Sequence, residues 1–252
     1  MERLGRNSPR IAALRRAVRR RPEGRVVVDG RRLIEDLVRW GVPLEALYLS
    51  ESAAAGAADW PPVAAAGRCW VVADTVMERT APTRHPQGVL AVVLEPRPRP
   101  WSPGDGVTVL LEAVREPGNV GAVVRAAAGL GAEAVLLGPG CADPFHPAAV
   151  RGSAGAVFRI PVHREAGTGA AIRAVREAGG SAWAAAAGGE DARSWRPRPP
   201  VLLALGNEGR GLEPATLAAV DGTVGIALAR EIESLNVAVA AALLLWRATG
   251  PA

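Results

Sequence analysis

The sequence predicts an α/β protein with two parts, a smaller α/β domain followed by a larger domain built on a parallel sheet. After residue 105, short apolar strands alternate with helices, which is typical of a parallel sheet covered on both faces. Residues 23–95 hold a second, smaller set of strands and helices. Between the two parts, residues 96–104 contain four prolines in the run PRPRPWSP, which favours an extended linker.

A basic arm, residues 1–22, precedes the smaller domain, and its apolar residues at helical spacing predict an amphipathic helix over 9–20. Apolar and β-branched clusters predict strands at 25–29, 47–49, 70–73 and 88–94. A helix is expected over 33–40 after the first strand, and Asp74 is expected to cap a short helix after the third. Residues 51–67, rich in alanine, glycine and proline, receive no assignment.

The larger domain, residues 105–252, continues the alternation of strands and helices. Apolar runs predict strands at 107–111, 134–137, 157–161, 181–185, 201–205 and 223–227. Helical spacing and breaking residues predict helices at 120–130, 147–152, 170–178, 214–220 and 235–247. Because parallel sheets bind ligands at the carboxyl ends of their strands, the loops after these strands are candidate binding sites.

The positive charge of the chain is concentrated at its start. The 252 residues carry a net charge of +5, and all thirty basic residues are arginine. Residues 1–39 contain twelve arginines against five acidic residues, whereas the remainder is slightly acidic. This balance is compatible with a solvated tail and equally with an arm that binds nucleic-acid phosphates, since arginine matches phosphate in charge and geometry.

Composition and spacing disfavour several classes of protein. The two cysteines are far apart, and the three histidines lie in separate segments, so no zinc site, other metal site or disulfide framework is expected. No apolar run has the length of a membrane span, and no secretory signal follows the basic start, which makes a cytoplasmic protein the expectation. The chain also lacks the GxGxxG fingerprint of a dinucleotide-dependent oxidoreductase.

Three loops after predicted strands carry most of the candidate chemistry. They are EAVREPGNVGAVVR (112–125), LALGNEGRGL (203–212) and VGIALAREIESLNVAVA (224–240). In the first loop, Asn119 is expected to cap the following helix and Gly121 to permit close backbone approach. In the second, three glycines let the backbone wrap a ligand, and in the third Ser234 is expected to cap the last helix. Each loop alone is compatible with a plain turn or cap, but together they favour a ligand site.

Together the three loops resemble the signature motifs of the SpoU (TrmH-like) family of SPOUT RNA 2′-O-ribose methyltransferases. PGNVGAVVRAA, LALGNEGRGL and ESLNVAVA are close to the family patterns and stand in the family order, and RGSAGAVFRIP is similar to its middle segment. VVDGRRLIEDLVRWG and HPQGVLAVV resemble the substrate-binding domain of many members. The chain departs from the family pattern at Glu116, where aspartate is usual, and at Ala227 and Leu228, where proline and methionine are common.

This resemblance implies transfer of a methyl group from S-adenosyl-L-methionine to a ribose 2′-hydroxyl of structured RNA, with rRNA as the first expectation. A tRNA methyltransferase and a catalytically silent RNA-binding protein of the same fold are the alternatives. The resemblance also implies a deep trefoil knot in the larger domain, an RNA-binding role for the smaller one, and a homodimer.

The resemblance further assigns catalytic roles to Arg125, Asn119, Glu208, Ser234 and Asn236. Arg125 would be central, either as the general base or as a cation that grips the adjacent phosphate and lowers the pKa of the hydroxyl. Asn119 would hold the substrate or Arg125, while Glu208 and Ser234 would orient neighbours or relay the proton. Cofactor contacts are implied for Leu205, Gly206, Asn207, Gly211, Ile226, Leu228, Leu235 and Asn236.

Overall fold

The computed structural model describes residues 1–20, 24–83, 85–164, 167–207 and 209–250. The chain divides into two compact units, Met1–Arg97, called the N-terminal unit below, and Pro98–Ala252, called the C-terminal unit. Among the described residues, no helix combines the length and apolar character that a membrane span requires.

The N-terminal unit is built on a five-stranded mixed sheet. Its strands are β1 Glu2–Arg3, β2 Arg25–Asp29, β3 Leu44–Ser50, β4 Cys69–Val72 and β5 Val89–Leu94. They lie in the order β1-β4-β3-β5-β2, and β5 runs antiparallel to both of its neighbours. The helices of this unit are α1 Pro9–Arg20, α2 Arg31–Arg39, α3 Glu51–Ala54, α4 Pro61–Ala65 and α5 Asp74–Thr80.

The amphipathic helix predicted over 9–20 is confirmed as α1, whose apolar residues Ile11 and Leu14 are buried in one core with the sheet. The predicted cap role of Asp74 is wrong. Asp74 is the first residue of α5, and its carboxylate accepts hydrogen bonds from the backbone N–H and the hydroxyl of Ser52 at 3.1 and 2.5 Å. The Asp74 side chain therefore connects α5 to α3. Residues 51–67, for which the sequence predicts no element, contain the short helices α3 and α4.

The C-terminal unit is built on a six-stranded sheet whose paired strands are all parallel, which confirms the predicted architecture. Its strands are β6 Val107–Leu111, β7 Ala134–Leu137, β8 Val162–His163, β9 Ser181–Asp191, β10 Val201–Leu205 and β11 Gly222–Gly225. Their order is β11-β9-β10-β6-β7-β8. The α-helices are α6 Pro117–Gly129, α7 Pro147–Gly152, α8 Thr168–Glu177, α9 Pro214–Ala219 and α10 Val237–Thr249.

The centre of this sheet explains why its strands are continuous apolar runs. Every residue of β6 and of β10 is buried, because helices cover both faces of a parallel sheet. On one face, Leu110 and Leu202 share a core with Ile172 of α8. These two central strands start and end where the sequence predicts, and they carry two of the candidate loops at their carboxyl ends.

Two strand predictions in this unit are corrected by the structure. The strand predicted over 157–161 is wrong, because Gly155 at φ +81° leads into a 3-10 helix over Ala156–Phe158. The strand that pairs with β7 begins only at Val162, the first residue of β8. The strand predicted over 181–185 extends to Asp191, since β11 pairs with both ends of β9 across a register shift. The intervening alanines 185–187 of β9 line a cavity together with residues of the third candidate loop.

Candidate functional site

The first two candidate loops leave neighbouring strands at the same level of the sheet. Leu111, the last residue of β6, lies opposite Leu205, the last residue of β10, in a parallel register. The next residue, Glu112, donates its backbone N–H to the carbonyl of Leu205 at 2.9 Å. The third loop follows β11, which is separated from β10 by β9. The sheet thus brings the three loops to one edge.

A buried carboxylate fixes the far end of the glycine-rich loop to β6. Glu112 is 6% exposed and accepts hydrogen bonds from the backbone N–H of Glu213 at 2.7 Å and from the hydroxyl of Thr216 at 2.7 Å. The hydroxyl of Thr168 donates a further bond at 3.1 Å. Three donors satisfy a group that would be costly to bury unpaired. The sequence pattern did not predict these hydrogen bonds of Glu112, because the residues that form them lie far apart in the sequence.

The glycine-rich loop is closed by Asn207. Its backbone exchanges two hydrogen bonds with Gly211, at 3.0 and 2.9 Å, and its side-chain amide donates to the carbonyl of Ala113 at 2.9 Å. Its side-chain oxygen accepts from the N–H groups of Gly209 and Arg210. A Cβ on Gly206 would lie 2.2 Å from the carbonyl carbon of Gly211, so this position accepts only glycine without opening the loop.

The helix of the first loop begins earlier than the sequence predicts, and Asn119 is not its cap. Glu116 holds the cap position and its carboxylate accepts from the N–H of Gly118 at 3.3 Å, with Pro117 as the first helical residue. Proline suits that position because its missing N–H would have had no partner there. Asn119 therefore lies inside the first turn of α6, where its side chain contacts the third loop.

That contact joins the first and third loops. The side-chain N–H of Asn236 donates to Oδ1 of Asn119 at 2.9 Å. Asn236 is also the N-cap of α10, because its own Oδ1 accepts from the N–H of Ala238 at 2.9 Å. The predicted cap role of Ser234 is therefore wrong, and Ser234 lies exposed in the loop two residues earlier. One asparagine thus starts α10 and holds it to the start of α6.

Close backbone contact also fixes α6 against the next helix, as the sequence predicted for Gly121. A Cβ there would lie 2.2 Å from the carbonyl oxygen of Ala149 in α7, and a Cβ on Gly152 would lie 2.8 Å from the carbonyl oxygen of Gly118. The two glycines let α6 and α7 pack without intervening side chains. The segment that begins at Arg151 is thereby positioned beside the first loop.

Arg125, the central residue of the sequence interpretation, is exposed on α6. It forms no hydrogen bond or ion pair with any residue that the structure describes. Glu208, the other charged candidate, lies outside the described residues. Among those described, no group of histidine, cysteine or acidic side chains is placed to hold a metal ion.

A cavity of about 160 Å³ adjoins the third loop. Its lining includes Ile226, Leu228, Ser234 and Leu235, four residues that the sequence interpretation placed in the site. Leu205, Gly206, Asn207 and Gly211 are not part of this lining but lie in and beside the closed glycine-rich loop. The cavity is also lined by alanines 185–187 of β9 and by Ala240 and Leu244 of α10, which were not among the predicted site residues. The early end assigned to β9 explains why its alanines were overlooked.

The lining of this cavity suits a flat apolar group. Most of its lining residues are leucine, isoleucine, valine and alanine, and Glu233 and Ser234 are its polar members. Such a mixture of apolar walls and a few polar groups is typical of cofactor sites. The cavity is smaller than the roughly 300–1,000 Å³ of common ligand pockets. It would therefore enclose one part of a larger cofactor, such as its base.

Comparison with known proteins gives a consistent result. Residues 106–246 match the SpoU rRNA Methylase family, and residues 9–91 match an MRM3-like substrate binding domain. The chain is 31% identical over 184 residues to 23S rRNA (guanosine(2553)-2′-O)-methyltransferase RlmP of Bacillus subtilis, covering 73% of each protein. It is 33% identical over 184 residues to a 23S rRNA (uridine(2479)-2′-O)-methyltransferase of Streptomyces viridochromogenes, covering 69% of this chain and 64% of that one.

Solved structures resemble the chain over nearly its whole length. A crystal structure of an RNA 2′-O ribose methyltransferase superimposes with a TM-score of 0.82 at 30% identity, covering 98% of this chain and 97% of that one. An AdoMet-bound rRNA methyltransferase from Sinorhizobium meliloti superimposes with a TM-score of 0.82 at 28% identity and the same coverage. Since the family match spans more than half of the sequence, the chain belongs to the SpoU rRNA methylase family.

Proposed function

We propose that the protein transfers the methyl group of S-adenosyl-L-methionine to a ribose 2′-hydroxyl of ribosomal RNA. The observation that carries the proposal is the bond between Asn119 and Asn236, which joins the loop expected to meet the RNA to the loop beside the apolar cavity. Relatives named as 23S rRNA 2′-O-methyltransferases support rRNA over tRNA as the substrate.

The cofactor is proposed to bind beside the third loop. When bound, S-adenosylmethionine would supply an electrophilic methyl group on a sulfonium. Ile226, Leu228 and Leu235 would enclose its adenine, since their side chains line the apolar cavity. Gly206 and Gly211 would let the glycine-rich loop approach the rest of the cofactor with backbone groups. Leu205 would anchor that loop as the buried last residue of β10. Asn207 would hold the loop closed through its hydrogen bonds within the loop.

Arg125 is proposed to hold the substrate phosphate next to the reacting ribose. Arginine is protonated at neutral pH and pairs with phosphate in a fork geometry, whereas a neutral arginine base would be rare. The exposed position of Arg125 on α6 leaves its guanidinium accessible to RNA. Asn119 and Asn236 would orient this segment, and Ser234 and Glu208 would orient neighbours or relay the proton. Alignment of the reactants can account for much of the acceleration.

A homodimer is proposed from an exposed apolar face on α10. Val239, Leu243 and Trp246 are 50%, 45% and 62% exposed, and their spacing places them on one side of the helix. Monomeric proteins rarely leave a contiguous stripe of this kind in water. A second copy of the chain would cover it.

We further propose that the C-terminal domain carries the deep trefoil knot, that the N-terminal domain binds RNA, and that the enzyme works in the cytoplasm.

Methyl transfer from radiolabelled S-adenosylmethionine to rRNA tests the main proposal. The rRNA should come from cells in which the gene is deleted, with tRNA from the same cells as the matched control substrate. We expect label in one ribose of rRNA, found by mapping 2′-O-methylation. Label in tRNA alone would shift the assignment to the tRNA alternative. If calorimetry detected no binding of S-adenosylmethionine, the enzyme assignment would be wrong and the silent RNA-binding alternative would stand.

A further inference from the structure

A second, larger cavity lies wholly within the N-terminal unit. It has a volume of about 640 Å³ and opens between α1 and the sheet face on which this helix packs. This size falls in the common range for ligand sites. None of its lining residues belongs to the candidate methyltransferase site, and the RNA-binding role proposed for this domain names none of them.

The interior of this cavity is aromatic and apolar. Tyr48 of β3 and Trp70 of β4 lie side by side, with ring centroids 4.9 Å apart and ring planes at 45°. Both side chains belong to the core of this unit and are 5% and 6% exposed, and their accessible parts line the cavity together with Val92 of β5. The Tyr48 hydroxyl has no hydrogen-bond partner among the described residues, and burial raises the pKa of Tyr48 to about 12. The phenol therefore remains a hydrogen-bond donor for a ligand at neutral pH.

The rim of the cavity is positively charged. Arg16, Arg25 and Arg68 line it, and Glu45 is the only carboxylate among the described residues of its lining. Two hydrogen bonds of 2.7 and 2.8 Å tie Glu45 to Arg25, and they lower the pKa of Glu45. Arg16 and Arg68 form no ion pair or hydrogen bond within the described part of the chain.

A further arginine lies beside the aromatic interior. The guanidinium of Arg10 is 5.0 Å from the centroid of the Trp70 ring, and its charge is partly balanced by Glu2 at 3.1 Å. The surroundings of the cavity thus combine aromatic rings with two arginines that form no ion pair within the described residues. This combination suits a ligand that is flat and aromatic in one part and anionic in another.

We propose that this cavity binds one unpaired nucleotide of the RNA substrate, with its base against the accessible parts of Tyr48 and Trp70 and its flanking phosphates on Arg16 and Arg68. Proteins recognise single-stranded RNA by stacking splayed bases on aromatic side chains, while arginine holds the backbone. A base locked in a duplex could not enter. The inference rests on the proposed function, because it takes RNA to be the substrate.

Binding of short single-stranded RNA to the full-length protein tests the proposal. The probes are a fluorescein-labelled RNA of about nine nucleotides and mixed sequence, and an abasic oligomer with the same ribose-phosphate backbone. Ala13 is exposed on α1 and lines the cavity, so the indole in Ala13→Trp would occupy it. The neighbouring Ala12 is exposed but is not part of the lining, which makes Ala12→Trp the matched control.

Fluorescence anisotropy should show that Ala13→Trp binds the RNA about tenfold more weakly than the wild type, as expected for the loss of a stacked base. Ala12→Trp should bind it with unchanged affinity, and all three proteins should bind the abasic oligomer equally. Arg68→Ala should weaken the binding of both oligomers, because its exposed side chain would contact phosphate. Thermal unfolding of each variant checks that it is folded.

Three outcomes would overturn the inference. The wild-type protein could fail to bind the RNA oligomer, or Ala13→Trp could bind it with wild-type affinity. Ala13→Trp could also lose as much affinity for the abasic oligomer as for the RNA. If Ala13→Trp failed to fold, unchanged binding by Arg68→Ala would also overturn it. Because the assay contains no S-adenosylmethionine, it separates this inference from methyl transfer. An active methyltransferase can fail it, and a catalytically silent RNA-binding protein can pass it.

Discussion

The side chain of Asn236 donates a hydrogen bond of 2.9 Å to Oδ1 of Asn119, across 117 positions of the sequence. The same side chain caps α10 through its oxygen. The starts of α6 and α10 are therefore held together by one amide that uses both its donor and its acceptor. In the proposed enzyme, this bond would couple the segment proposed to meet RNA to the loop proposed to hold the cofactor.

Replacing Asn236 separates its two roles. Asn236→Ala removes both the cap and the bond to Asn119, and we expect a loss of about 1–2 kcal/mol in unfolding free energy, together with a large loss of methyl transfer. Asn236→Ser keeps a capping oxygen but is too short to reach Asn119. It should unfold nearly like the wild type yet still lose activity. Denaturant unfolding and methyl-transfer rates measure the two effects. Wild-type activity in Asn236→Ser would show that the bond to Asn119 is not needed.

Arg125→Ala should abolish methyl transfer while leaving S-adenosylmethionine binding largely intact. Stability should change by less than about 0.5 kcal/mol, since the side chain is exposed and has no partner among the described residues. Arg173, exposed on α8, provides the matched control, and Arg173→Ala should be fully active. Single-turnover rates and calorimetry measure the two properties. Near-normal turnover in Arg125→Ala would refute its assigned role.

The glycine-rich loop allows a comparison between two glycines three residues apart. In Gly206→Ala the new Cβ would lie 2.2 Å from the carbonyl carbon of Gly211, so the loop must open. In Gly209→Ala the nearest contact of the new Cβ among the described residues would be 3.6 Å, to Oδ1 of Asn207, which is ordinary packing. We expect Gly206→Ala to weaken S-adenosylmethionine binding by at least about tenfold, equivalent to about 1.4 kcal/mol, and Gly209→Ala to leave it unchanged. Equal affinities by calorimetry would exclude this loop from the cofactor site.

The sequence predicted the central strands well and the loop contacts poorly, for identifiable reasons. Strands such as β6 and β10 are wholly buried, so an apolar run marks each of their residues. Cap positions were misplaced because Ser234 and Asn236 are both good caps and local sequence cannot choose between them. The partner of Asn119 lies on another helix and depends on how the sheet orders its strands. Arg125 was recognised from a motif, since its exposed side chain forms no hydrogen bond or ion pair within the described residues that would mark it.

The buried carboxylate of Glu112 predicts a stability effect that is independent of catalysis. Glu112→Ala would leave the N–H of Glu213 and the hydroxyls of Thr168 and Thr216 without their acceptor. We expect a loss of about 3 kcal/mol in unfolding free energy, because unsatisfied buried donors each cost about 1–3 kcal/mol. Glu112→Gln keeps one oxygen for the N–H of Glu213, and its amide can donate to the two hydroxyls, so its loss should be smaller.

An exposed glutamate supplies the control for this substitution. Glu177 ends α8 in solvent, and Glu177→Ala should change stability by less than about 0.5 kcal/mol. Chemical denaturation of the three variants measures the order of their effects. If Glu112→Ala were as stable as Glu177→Ala, the carboxylate would not hold the loop.

The apolar face of α10 predicts the effect of a charge on assembly. Leu243 is 45% exposed between Val239 and Trp246, so Leu243→Glu would place a carboxylate in the centre of the proposed dimer contact. Burying that charge without a partner is unfavourable, and we expect the variant to be monomeric by light scattering where the wild type is dimeric. Leu217 on α9 has a similar exposure of 39%, and Leu217→Glu should remain dimeric. If Leu243→Glu remained dimeric, the subunit contact would lie elsewhere on the surface. If the wild-type protein were monomeric, the homodimer proposal itself would be wrong.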